Sequence, residues 1–78
     1  MTNYNESTVH TTGLGTLWSE TLLEMLFDGL RNDWSGNALL EILKELNNKG
    51  YRMDRVVKKV RNRLGDDTAR LLLLKIKK

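Results

Sequence analysis

Apolar positions recur along this chain at helical rather than strand spacing. They are clearest in the stretch 53–64, where successive apolar residues are three, one, three and four positions apart. That spacing places them on one side of a helix, while basic residues and one asparagine occupy the remaining circumference. The stretch therefore predicts an amphipathic helix that docks on a core and presents positive charge. Its apolar residues are Met53, Val56, Val57, Val60 and Leu64.

Three further segments show the same periodicity and predict helices over 16–32, 37–48 and 67–77. The first has a broad apolar stripe, and the second a narrower one. The stripe of the first consists of Trp18, Leu22, Met25, Leu26 and Gly29, widened by Leu23, Phe27 and Leu30. The stripe of the second consists of Leu39, Ile42, Leu43 and Leu46, with Leu40 at its margin.

The fold class that follows is all-α, a small bundle of about four short helices. The chain contains no proline and is rich in strong helix formers. Residues 1–15 are polar and broken by glycine, which predicts a disordered tail before a single helical domain over 16–78. Trp34 lies in the break between the first two helices, and we expect it to cover the core.

Side-chain types at the breaks predict where the helices begin and end. Thr16 or Ser19 is expected to cap the first helix, and Ser35 or Asn37 the second, because these side chains accept hydrogen bonds from free backbone N–H groups. Gly50 suits the left-handed position that follows the second helix. The third helix should therefore start close behind this turn.

The last segment, 67–77, admits two readings. Helix is preferred, because acidic residues stand at its beginning and lysines at its end, as the helix dipole favours. A strand with Leu72, Leu74 and Ile76 on one side is the alternative. As a helix it faces the core with Ala69, Leu72, Leu73 and Ile76.

This predicted fourth helix leaves two leucines off its main apolar face. Leu71 and Leu74 need cover from either the first helix or a second copy of the chain. The first helix has apolar residues beyond its main stripe, so the sequence favours a monomer over a homodimer.

Composition excludes most catalytic chemistry. There is no cysteine, one histidine (His10, in the tail) and no glycine-rich phosphate loop. We therefore expect a protein without enzymatic activity, cofactor, metal site or small-molecule substrate. The start of the chain lacks the basic and apolar regions of a signal peptide, and no apolar run approaches the length of a membrane span. A cytoplasmic protein is expected.

Charge is distributed unevenly along the chain. Residues 1–51 carry three basic and seven acidic residues, a net charge of −4, whereas 52–78 carry ten basic and three acidic residues, a net charge of +7. Such asymmetry indicates an anionic partner for the C-terminal half. The candidate binding residues, for nucleic acid or an acidic protein, are Arg52, Arg55, Lys58, Lys59, Arg61, Asn62 and Arg63.

The second helix, the turn 47–50 and the third helix have the outline of a helix-turn-helix, whose second helix enters the major groove. The match is incomplete: Leu46 stands where a small residue is usual, and Lys59 where a buried residue is expected. No family is assigned on this outline. In a groove, Arg52, Arg55, Lys59, Asn62 and Arg63 would contact bases, and Lys58 and Arg61 phosphates.

Two functions follow from the basic helix, and one neutral explanation competes with them. The first is a small regulatory protein that binds nucleic acid, most readily DNA. The second is an adaptor or inhibitor whose basic face meets an acidic protein. The neutral explanation is that the charges only solvate the fold. A peripheral membrane role for the leucine-lysine segment 71–78 is a further alternative.

Overall fold

Four helices make up the computed structural model, which describes residues 18–76. They are α1 (Ser19–Arg31), α2 (Gly36–Asn48), α3 (Met53–Leu64) and α4 (Asp66–Ile76). No strand occurs within the described range. The predicted all-α class is confirmed, and helix is the correct reading of the last segment. Helix boundaries agree with the predicted ones to within a few residues.

The helix starts differ in how they are capped. Ser35 caps α2, as one of the two predicted candidates: its hydroxyl accepts a hydrogen bond from the Ala38 N–H at 3.3 Å. The cap position of α1 is Trp18, which forms no side-chain cap bond, and Ser19 is the first helical residue. Thr16, the other candidate for α1, lies outside the described residues.

The core is built from two pairs of consecutive helices. α1 packs along α2, α3 packs along α4, and contacts of α4 with α2 and of α3 with α1 join the pairs. The apolar stripes predicted for α1 and α2 are the centre of this core, and from α3 and α4 only the most inward residues reach it. Those four residues are Val56, Val60, Ala69 and Leu72.

Trp34 covers one end of the core, as predicted, and is only 5% exposed. Its carbonyl oxygen accepts a hydrogen bond from the Lys75 ammonium at 3.0 Å, and that ammonium also lies 2.5 Å from the Asp33 carboxylate. The end of α4 is thereby fastened to the α1–α2 connection. A side chain at Gly36 would collide with the Lys75 carbonyl, so this close approach requires glycine.

One residue predicted to face the core from α1, and one predicted to face it from α4, do not. Trp18 is 77% exposed, because it stands at the extended cap position before α1 rather than on the apolar face of the helix. Leu73 is 41% exposed, because the neighbours of α4 pack against its Ala69–Leu72 side and leave Leu73 at the edge. Both predictions were wrong.

The expectation that α1 covers Leu71 and Leu74 was also wrong. Leu74 is 70% exposed and Leu71 is 39% exposed, because α4 packs on α3 and α2 instead. The preference for a monomer rested on that cover and stays a prediction without it.

Several sequence-based expectations fall outside the described part of the chain. These are the disordered tail 1–15 and the isolation of His10 within it. Between residues 18 and 76, no helix is long and apolar enough to cross a membrane. The same range holds no group of three or more histidine, cysteine, aspartate or glutamate residues that could bind a metal ion.

Candidate nucleic-acid interface

The turn before α3 fixes where the basic helix begins. Gly50 has a φ of 96°, in the left-handed region predicted for it. The Gly50 N–H donates to the Asn47 carbonyl at 3.1 Å, and the Tyr51 N–H donates to the Leu46 carbonyl at 2.9 Å. These two bonds form a Schellman motif, which ends α2 sharply and sends the chain into α3.

Burial of one side of α3 orients the charged side. Val56 and Val60 are buried, and Val57 and Leu64 pack partly against the core. Met53, assigned to the same apolar side, is 38% exposed at the beginning of the helix. The predicted binding residues therefore face away from the core, and all are exposed except Lys59, which is half-buried.

An aromatic ring organises two of the cations. The Arg55 guanidinium lies 4.9 Å from the centre of the Tyr51 ring, and the Lys59 ammonium lies 6.0 Å from it. Tyr51 itself packs against the core. Cation–π attraction to the ring of Tyr51 restricts both side chains. The two cations are therefore preorganised for a ligand.

The two margins of the polar face are each tied to a neighbouring helix. On the α1 side, an Arg63 nitrogen lies 3.5 Å from a Glu24 carboxylate oxygen. On the α4 side, the Arg61 Nε lies 2.7 Å from an Asp66 carboxylate oxygen. At 100° per residue, Arg61 and Arg63 lie on opposite edges of the face, so the structure does not bring them together.

The middle of the face is left uncompensated. Arg52, Arg55, Lys58 and Lys59 form no ion pair with any residue from 18 to 76, whereas five other basic residues in that range do. Asn62 lies among them. Unpaired cations concentrated on one exposed helix face create a positive potential that attracts polyanions.

The packing of α2 and α3 does not support the helix-turn-helix outline. α2 packs chiefly against α1 and α4, and α3 against α4. Between α2 and α3 lies an apolar cleft of about 180 Å³, where a helix-turn-helix would have close contact. Its lining is Leu40, Leu43, Lys44, Asn47, Tyr51, Met53 and Val56.

Sequence reasoning missed the residues that position the cations. Tyr51 lies before the helix, in the turn that ends α2, so helical spacing did not reveal its contact with Arg55. The roles of Glu24 and Phe27 beside Arg63 depend on how α1 crosses α3, and no local pattern reveals that. Asp66 stands at the acidic beginning of the last helix, and its pairing with Arg61 depends on the tight bend at Gly65, where φ is 99°.

None of the protein families, curated proteins and solved structures compared with this chain matches it.

Proposed function

We propose that this protein is a small, non-enzymatic regulator that binds nucleic acid, most readily duplex DNA, through the exposed face of α3. The observation that supports it most is the group of four cations without ion pairs on that face: Arg52, Arg55, Lys58 and Lys59. We propose the cytoplasm as its compartment.

DNA binding by this face would use two kinds of contact, one with backbone phosphates and one with base edges. Lysine and arginine side chains neutralise backbone phosphates and supply affinity that is independent of sequence. Arginine and asparagine also offer paired donors that match guanine and adenine edges in the major groove. Arg55 and Asn62 are the side chains suited to base contacts, because both are exposed on the central part of the face.

Salt dependence tests the proposal. Each of the four unpaired cations that neutralises a phosphate releases counterions from duplex DNA, so the logarithm of the binding constant should fall with the logarithm of salt concentration with a slope of up to about −3.6. The measurement is fluorescence titration of a short mixed-sequence duplex at salt concentrations from about 50 to 200 mM. Absence of binding at the lowest salt concentration would contradict the proposal.

The apolar cleft between α2 and α3 favours a second candidate function. Met53 is exposed at this cleft, and Lys44 stands on its rim. An acidic protein segment with one apolar anchor could fill the cleft and pair with the cations beside it. Binding of that kind would use Leu40 and Met53, whereas DNA binding would leave them untouched.

A further inference from the structure

A second cleft lies between α1 and α3, on the α1 side of the charged face. It has a volume of about 270 Å³ and is lined by Phe27, Lys59, Asn62 and Arg63. Phe27 belongs to the core, so the floor of the cleft is a fixed aromatic ring. Two cations and an amide on the walls are the groups that bind a phosphodiester.

Arg63 is already in position to act in this cleft. Its guanidinium carbon lies 5.4 Å from the centre of the Phe27 ring, which restrains the side chain. Its present partner, Glu24, is 3.5 Å away, longer than a strong charge-assisted hydrogen bond. Both side chains are about half exposed, and an ion pair of that kind is weak and readily exchanged.

The ion pair at the other margin of α3 is shorter. Arg61 and Asp66 are 2.7 Å apart, within the range of a strong charge-assisted contact. Both ion pairs are exposed. Of the two arginines at the margins, Arg63 lines the cleft and has the longer ion pair, so it is the one that a ligand in the cleft can recruit.

We propose that the α1–α3 cleft is a phosphate subsite of the α3 surface, and that Glu24 is an intramolecular competitor for Arg63. The proposal rests on the nucleic-acid binding proposed above. A backbone phosphate entering the cleft displaces the Glu24 carboxylate and accepts two hydrogen bonds from the guanidinium. Glu24 thus weakens binding of every polyanion, and Arg63 is released only when a phosphate reaches the cleft.

The test compares two glutamate-to-glutamine variants in the same duplex titration. Glu24→Gln should lower the dissociation constant about threefold to tenfold at low salt, because a like charge beside the phosphate is removed. Glu41→Gln is the matched control: it removes the same charge from the exposed Glu41–Lys44 pair of α2. Less than a twofold change is expected from it.

A second comparison shows whether the gain passes through Arg63. In an Arg63→Gln background, Glu24→Gln should give no more than the control change. The subsite is wrong if Glu24→Gln equals Glu41→Gln, or if its full gain persists without Arg63. If wild type binds the duplex and either of these two contradicting results is found, the subsite is wrong and the proposed function stands. If neither wild type nor Glu24→Gln binds at low salt, the proposed function fails and the subsite with it.

Discussion

Replacing Trp34 with alanine should lower the free energy of unfolding by about 3–5 kcal/mol, the usual loss for a large aromatic residue removed from a core. Trp34 is nearly fully buried, and its ring lies so close to Gly29 that a methyl group there would be 2.6 Å from it. A chain of 78 residues has a total stability of about 4–12 kcal/mol. The loss is therefore a large share of the total, and urea unfolding followed by circular dichroism measures it.

The second tryptophan provides a matched control. Trp18→Ala removes the same side chain from a site that is 77% exposed, so the free energy of unfolding should change by no more than about 0.5 kcal/mol. Equal losses in the two variants would show that the position assigned to one of the tryptophans is wrong.

Reversing two central charges of α3 should nearly abolish binding of DNA. Arg55→Glu with Lys59→Glu removes two cations from the DNA-binding face and adds two repulsions, each worth about 1 kcal/mol near 4 Å even in water. The dissociation constant should rise about 100-fold or more. Both side chains pack on Tyr51, so a small loss of stability, about 0.5–1 kcal/mol for each, accompanies the change. A thermal melt verifies that the variant is folded.

The control reverses two exposed cations elsewhere. Lys44→Glu with Arg70→Glu makes the same change in net charge on α2 and α4, where neither residue belongs to the α3 face. Binding should weaken only by the general loss of positive charge, by less than about tenfold. Equal effects of the two double variants would show that net charge, and not the α3 face, controls binding.

Helix positions and the centre of the core could be predicted because both follow from periodicity. The apolar stripe of α2 and the inward residues Val56 and Val60 are buried as their spacing requires. Gly50 could be predicted as a helix stop because the left-handed conformation itself favours glycine. These features depend on neighbours within a few positions along the chain.

What could not be predicted depends on how the helices pack. The pattern of α4 is apolar almost all round, so it did not reveal that only the Ala69–Leu72 side meets other helices. The charged face shows the same limit. Sequence identified its seven residues, but the ties at Arg61 and Arg63 arise from carboxylates on other helices. Only the structure therefore shows that the arginines at the edges of the face form ion pairs while the cations at its centre do not.

Mapping of amide chemical shifts during a titration with duplex DNA tests the central claim most directly. The largest changes are expected along α3 at residues 52, 55, 58, 59 and 62. They should extend to 63 and the neighbouring part of α1, and leave α4 near Leu71 and Leu74 unchanged. Two results would contradict DNA binding by α3. One is shift changes centred on the exposed leucines of α4. The other is changes centred on the cleft at Leu40 and Met53 without changes on the charged face of α3.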